Sequence, residues 1–276
     1  GAEHAPARRV AGKNGPDPQS CRRHHRQAAP RTDRQCDAPL QRAGGESNAF
    51  TSNDITNYYD VLPAHNLETA LWLESDRMLS LAFTPKSLEV QRNVVIEEFK
   101  QRYLNQPYGD VWLQLRPLAY HVHPYKWATI GKEVAHIENA TMDDVKAFFQ
   151  EHYNPSNAFL CIAGNFELEH IQNLVEKWFG DIPSGTKPHR MLQAEPVQQE
   201  FREKLIERKV PADAFYYAFR MPERKNPGFY LADVLSDALG RDKSSRLYTI
   251  LKKEEKLVSE IGAYITGSLD DGLLII

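Results

Sequence analysis

Apolar residues recur at helical spacing in residues 87–102, SLEVQRNVVIEEFKQR, which predicts an amphipathic helix with one face in a core. The apolar positions of this predicted helix are Leu88, Val94, Val95 and Phe99. Successive helical residues point about 100° apart, so only one of Glu97 and Glu98 faces the interior. A second interpretation, that both glutamates are ordinary solvated charges, is open at this point.

The rest of the pattern predicts a chain that mixes strands and helices. Residues 47–63 are rich in Thr, Tyr, Phe and Asn with partial alternation, which favours a strand pair or an edge strand. Short apolar or alternating segments predict further strands at residues 157–164, 204–210, 214–221 and 259–266. Helical spacing predicts a helix that begins at Asn66 and others at residues 110–119, 141–152, 168–179, 229–239 and 244–255.

Composition is typical of a globular protein with an apolar core. The 276 residues are 41% hydrophobic and 10% aromatic, enough for one large domain or two modest ones. The 34 basic and 37 acidic residues give a net charge of −3, so neither nucleic acid nor an anionic membrane is an expected partner. No apolar run reaches the roughly 18 residues that a membrane-spanning helix needs, so no transmembrane segment is expected.

Cysteine and histidine positions do not predict a metal centre by themselves. Cys21, Cys36 and Cys161 have neither metal-ligand spacing nor the pattern of a disulfide framework. Cys161 lies in an apolar run, which predicts a buried thiol. His121 and His123 are two apart before a proline, a spacing that suits a loop better than a shared ligand face.

Changes in composition divide the chain. Residues 1–40 are rich in arginine and proline and poor in large apolar side chains, which predicts a disordered or non-native segment, with a basic interaction arm as the alternative. Residues 184–200 are polar and contain two prolines, which is typical of a linker between residues 41–183 and 201–276. The chain stops within the apolar run 273–276, and a strand there would lack partners, so we expect a fragment of a longer protein.

Four blocks in the ordered part carry a family resemblance. They are GGESNAFTS at residues 44–52, RNVVIEE at 92–98, HPY at 123–125 with a glycine shortly after, and HYNPSN at 152–157 leading to AGN at 163–165. In this order they resemble the pitrilysin/insulinase-like zinc peptidases, the superfamily that includes the mitochondrial processing peptidases. The resemblance extends from about residue 41 to residue 276.

The resemblance implies an α+β fold of two related half-domains, each an antiparallel sheet with helices packed on one face. Residues 41–183 would form the first half-domain, incomplete at its N-terminus, and residues 201–276 a truncated second one. The implied activity is that of a zinc metallopeptidase, which hydrolyses peptides with a zinc-activated water. In the family, H-x-x-E-H supplies two histidine ligands and the general base, and a glutamate at the position of Glu98 is the third Zn²⁺ ligand.

This chain departs from the family at the metal site. The H-x-x-E-H motif would fall on residues 17–21, which read DPQSC, and it occurs nowhere else. The abrupt change near residue 41 indicates a reading-frame error or a spliced end. One carboxylate holds zinc poorly, so we expect the chain as written to bind Zn²⁺ weakly and to hydrolyse nothing. Gln91 is a further departure, because many relatives have an acidic residue there.

The resemblance also implies binding partners. Asn48, Ala49 and Phe50 match the edge strand that holds an extended peptide substrate by strand addition, although Asn48 also suits a turn. Family members bind the substrate carbonyl with an arginine and a tyrosine, whereas Lys252 and Ser259 stand at those positions here. This difference favours a heterodimer in which a second subunit supplies the Arg and Tyr.

A member that has lost its metal site, serving as a structural or assembly subunit, is the alternative to a peptidase subunit. Two-subunit bacterial relatives are often exported, which favours the periplasm, but the sequence does not determine the compartment.

Overall fold

The structure, a computed structural model, describes residues 33–79 and 81–276. Its α-helices are α1 Asp33–Arg42, α2 Leu67–Leu79, α3 Pro85–Phe99, α4 Val111–Ala119, α5 Val134–Glu138, α6 Met142–His152, α7 Leu168–Phe179 and α8 Pro227–Gly240. Its strands are β1 Glu46–Thr51, β2 Thr56–Val61, β3 Ala218–Met221, β4 Tyr264–Thr266 and β5 Gly272–Ile275. Short 3-10 helices cover Ala64–Asn66, Pro124–Lys126 and Pro155–Asn157, and π-helical segments cover Lys100–Leu104 and Tyr248–Glu254.

The described residues form two compact units, each with its own core. Of the described residues, the first unit contains 33–48, 58–79, 81–87 and 142–188, and the second contains 49–57, 88–141 and 189–276. The tip of the β1–β2 hairpin therefore belongs to the second unit. Among the described residues, no helix is both long and apolar enough to cross a membrane.

Helices α2 and α7 form the core of the first unit. Leu71 of α2 packs with Leu174 and Trp178 of α7, and all three are buried. On another side of α2, Leu40 packs with Ala70 and Leu73. Residues 1–32, most of the segment predicted to be disordered or non-native, lie outside the described residues, whereas residues 33–40 are helical and end in a buried leucine.

A three-stranded antiparallel sheet with the order β3–β5–β4 forms the centre of the second unit. Strand β5 is buried at all four residues. Helix α8 covers one side of it through the cluster Met221, Phe229 and Leu274. Residues that follow α4 contribute to a second cluster, which contains Ala119, Tyr120, Tyr125, Leu273 and Ile275. The expectation that a strand at residues 273–276 lacks partners is wrong, because β5 pairs with β3 and with β4.

Of the two alternatives for residues 47–63, the structure has the strand pair, and the predicted helix that contains Glu98 is confirmed. Strands β1 and β2 pair in one sheet, and α3 continues into a π-helical segment. The buried face of α3 differs from the prediction, because Ile96 and Phe99 are buried whereas Val94 is 47% exposed.

Two predicted strands are absent from the described structure. Residues 157–164 form no strand, Phe159 is 99% exposed, and Cys161 is exposed rather than buried. A strand needs a neighbour for its backbone N–H and C=O groups, and no strand of the described residues pairs with this segment. Residues 204–210 instead run beside α4, where Arg208 Nη2 lies 2.7 Å from Asp110 Oδ2. Only the last part of 214–221 is a strand.

Candidate functional site

The predicted zinc ligand Glu98 lies near the C-terminal end of α3. Its side chain is 43% exposed, compared with 60% for Glu97, so Glu98 is the more inward of the two, as expected for helical neighbours. Arg102 Nε lies 3.4 Å from Glu98 Oε1, and Glu97 binds Lys100 at 2.7 Å. The Glu98 carboxylate is thus close to a cation of its own helix, and Gln91, two turns earlier, is exposed.

The described residues do not fit a zinc ion. A protein zinc site takes three or four ligands from Cys, His, Asp and Glu. Within residues 33–79 and 81–276, no three such side chains lie close enough together to hold a metal. The positions expected for H-x-x-E-H, residues 17–21, lie outside the described part of the chain. A ligand role for Glu98 therefore stays a prediction.

Strand β1 carries the three predicted peptide-binding residues, Asn48, Ala49 and Phe50. All six residues of β1 are exposed, and Phe50 is 52% exposed. The turn that follows is closed by a hydrogen bond from the Ser52 N–H to the Ile55 carbonyl oxygen at 2.8 Å. Ser52 Oγ accepts two further bonds, from the backbone N–H groups of Asp54 and Ile55, both at 3.3 Å.

Asp54, at the tip of this hairpin, is held by donors from three other segments. Its side chain is 7% exposed. Tyr125 Oη donates to both carboxylate oxygens, at 2.8 and 2.7 Å, and Arg190 Nη2 donates to Oδ1 at 2.7 Å. The Leu269 N–H donates to Oδ2 at 3.0 Å. A carboxylate with so little exposure is stable only when it is paired and hydrogen-bonded in this way.

The same arginine joins Asp54 to Asp270, in the turn between β4 and β5. Arg190 Nη2 lies 2.6 Å from Asp270 Oδ2, and Nη1 lies 3.2 Å from Oδ1. His123 Nε2 also bonds Asp270, at 2.9 Å, and His123 Nδ1 accepts the Tyr125 N–H at 3.2 Å. We call Asp54, His123, Tyr125, Arg190 and Asp270 the hairpin anchor.

His123 is 4% exposed and has both ring nitrogens engaged. A backbone N–H donates to Nδ1, so Nε2 carries the hydrogen and donates to Asp270. Both nitrogens are therefore occupied by hydrogen bonds within the protein, and neither is left to bind a metal. His121 is exposed and lies in the same loop, and neither histidine belongs to a metal-ligating group in the described residues.

Electrostatics within this part of the second unit follow from burial and hydrogen bonding. Burial, followed by the hydrogen bond to Asp54, raises the pKa of Tyr125 to about 12. Burial of Glu195 opposes its ionisation, but the backbone N–H groups of residues 121–123 outweigh this effect and lower its pKa. These three groups donate to the Glu195 carboxylate at 2.7–2.8 Å. Glu195 belongs to the predicted linker, residues 184–200, so these hydrogen bonds attach that segment to the loop at residues 121–123.

Sequence reasoning did not find Asp54, Arg190, Glu195 or Asp270. Asp54 and Asp270 lie in turns, where aspartate is common for local reasons. Arg190 lies 136 positions from Asp54 and 80 from Asp270. No local signal joins residues so far apart, and only the fold brings them together.

The two positions that differ from the family's Arg and Tyr lie late in the chain. Lys252 is in the second π-helical segment, with Nζ 5.3 Å from the centre of the Tyr248 ring. Ser259 lies in the irregular stretch before β4. The predicted heterodimer stays a prediction.

Two family models match most of the chain. A model described as "Insulinase (Peptidase family M16)" matches residues 25–125, and one described as "Peptidase M16 inactive domain" matches residues 139–276. The chain is 31% identical over 228 residues to the zinc protease PqqE of Helicobacter pylori, covering 81% of this chain and 51% of that protein. It is 28% identical over 239 residues to an uncharacterised zinc protease, YmxG, of Bacillus subtilis, covering 86% and 56%.

Solved structures agree with these matches. A protease from Helicobacter pylori superposes with a TM-score of 0.76 at 29% identity, covering 87% of this chain and 58% of that one. Pitrilysin superposes with a TM-score of 0.62 at 18% identity, covering 87% and 26%, and supports the fold alone. The chain spans about half the length of the curated relatives it matches.

Proposed function

The chain belongs to the M16 (insulinase/pitrilysin) peptidase family, and from this premise we propose that it is the peptide-binding part of a zinc metallopeptidase subunit. Its fold is α+β, with N-terminal and C-terminal M16 domains that correspond to part of larger structures. The finer organisation, two duplicated half-domains with the second one cut short, belongs to the proposal.

Strand β1 is the observation that carries this proposal. It is exposed along its whole length, it lies in an outer position of a two-stranded sheet, and it falls within the insulinase-model match. An extended peptide that adds to such a strand is held mainly through its main chain, which tolerates many sequences. Exposed Phe50 offers one apolar contact for a peptide side chain.

We propose zinc-assisted hydrolysis for the full-length protein, not for this chain alone. Zinc, where it is bound in such enzymes, activates a water molecule for attack on a peptide bond. This chain would contribute Glu98, whose carboxylate lies beside Arg102. We therefore propose peptide binding without hydrolysis for the chain as written, and a second subunit as the source of the Arg and Tyr.

Replacing Phe50 with serine tests the peptide site. We expect the dissociation constant for a short fluorescein-labelled peptide rich in valine and threonine to rise roughly tenfold, because one large apolar contact is lost. Fluorescence anisotropy measures the binding. Phe219→Ser is a matched control, since Phe219 is 53% exposed and lies on β3, one of the two outer strands of the β3–β5–β4 sheet. Absent binding by the unaltered chain, or equal losses in both variants, would contradict the proposal.

A calorimetric zinc titration tests the metal expectation. Because Glu98 is alone among the described residues as a predicted ligand and lies beside Arg102, we expect no tight one-to-one site. Glu98→Gln should give the same heats as the unaltered chain. A tight site would overturn this expectation, and its loss in Glu98→Gln would assign it to the family's ligand position.

A structural or assembly subunit is the second candidate function. One observation favours it, namely that residues 139–276 match a domain described as inactive. The DNA upstream of codon 41 discriminates the two candidates. A one-base shift that restores H-x-x-E-H would support the peptidase, and an intact frame without the histidines would support the structural subunit.

A further inference from the structure

We propose that the hairpin anchor (Asp54, His123, Tyr125, Arg190 and Asp270) positions strand β1 for peptide binding by fixing the tip of the β1–β2 hairpin. This inference rests on the proposed function and deepens it. It makes these five side chains positioning residues, since none of them lies on the strand that the peptide would join.

Strand β1 does not fix its own position through burial. All six of its residues are exposed, so it has no buried face to determine its register. An isolated two-stranded hairpin is marginally stable in water. A peptide that adds to β1 therefore needs the hairpin to be held elsewhere.

The tip of the hairpin supplies that support through two adjacent side chains. Asp54 accepts hydrogen bonds from Tyr125, Arg190 and the Leu269 N–H at 2.7–3.0 Å. Asn53 Oδ1 accepts from Arg116 Nη1 at 3.1 Å. Charge-assisted bonds of this kind are about twice as strong as neutral ones.

Arg190 and Asp270 connect this tip to the most buried strand of the unit. Asp270 lies in the turn that leads into β5, whose four residues are all buried. The Arg190 guanidinium lies between the two turns and donates to both carboxylates. A segment joined to a fully buried strand opens less often than one joined to a surface loop.

His123 helps to orient the Tyr125 ring and therefore its hydroxyl group. The two rings meet edge to face, with centroids 4.2 Å apart and planes at 74°. The ring nitrogens of His123 bind Asp270 and the Tyr125 backbone, so the histidine fixes both the ring and the main chain of the tyrosine. Tyr125 is 4% exposed, and its hydroxyl also accepts the Asp270 N–H at 3.2 Å.

Tyr125→Phe and Arg190→Gln in the full chain test this inference. We expect amide hydrogen exchange across residues 49–57 to become roughly tenfold faster, because each variant removes a hydrogen bond to Asp54. Exchange across α8 should not change. The dissociation constant for the valine- and threonine-rich peptide should rise severalfold, and Arg190→Lys should recover part of the affinity because it keeps one donor.

Tyr217→Phe and Arg241→Gln are matched controls. Tyr217 is 50% exposed, and Arg241 is 70% exposed in its side chain and pairs with Asp237, four residues earlier in the chain. If the amide exchange rates at residues 49–57 are unchanged in both anchor variants, the inference is refuted, regardless of any change in the peptide dissociation constant. Absent peptide binding by the unaltered chain would instead refute the proposed function and leave the exchange comparison valid.

Discussion

Trp178→Ala is expected to lower the free energy of unfolding by about 3–5 kcal/mol, the typical cost of removing a large aromatic side chain from a core. Trp178 is 6% exposed and packs in one cluster with Leu71 and Leu174 in the first unit. Its indole Nε1 also donates to Glu68 Oε1 at 3.1 Å, so the variant loses a hydrogen bond as well. Urea unfolding followed by far-ultraviolet circular dichroism measures the change.

Trp127→Ala is the control for this loss. Trp127 is 49% exposed, so its removal leaves no enclosed cavity and should cost less than about 1 kcal/mol. If the two tryptophan variants unfold at the same urea concentration, the α2–α7 core described here is incorrect.

Gly240→Ala is expected to destabilise the second unit by about 2–3 kcal/mol. A Cβ atom at Gly240 would lie 2.2 Å from the Ala263 backbone nitrogen and 2.7 Å from the Gly262 carbonyl carbon. Both neighbours are backbone atoms, so no side-chain rotation relieves the clash. The gain in helix propensity, about 1 kcal/mol, is too small to compensate. Thermal and urea unfolding measure the loss.

Gly262→Ala is the matched control on the facing segment. A Cβ atom there would meet only the Gly240 carbonyl oxygen, at an ordinary 3.9 Å. We expect a change within about 0.5 kcal/mol. Equal stability of the two alanine variants would mean that α8 does not approach residues 262–263 as closely as described.

Family membership and local geometry bear on different parts of the function. The chain belongs to the M16 family, and relatives that it matches are named as zinc proteases, whereas the described residues contain no cluster of three metal-ligating side chains. Strand β1 and the hairpin anchor do not depend on the metal. Peptide binding is therefore the part of the proposed function that this chain can be tested for directly.

The fold was predictable where local pattern determines structure. Residues 87–102 have helical spacing and form α3, and residues 47–63 alternate and form the β1–β2 hairpin. The same reasoning fails at residues 157–164, where an apolar run predicts a strand that the structure does not contain. Strand formation depends on a distant partner, which an apolar run cannot specify.

Gly240 was also only partly explained by local sequence. The sequence predicts that this glycine ends a helix, because glycine is common at that position. Helix α8 does end there, but the close approach of residues 262–263 is a second reason for a residue without a side chain. The sequence therefore predicted the end of the helix correctly, but it did not show that a neighbouring segment also requires glycine there.

By itself the sequence determined the family, helix α3 and the strand character of residues 47–63, because each is encoded in short blocks of neighbouring residues. Only the tertiary structure decided that Asp54 and Asp270 share Arg190, that His123 has no free nitrogen and that Cys161 is exposed. These features depend on hydrogen bonds and packing between segments up to 147 positions apart, whose partners no local pattern can specify.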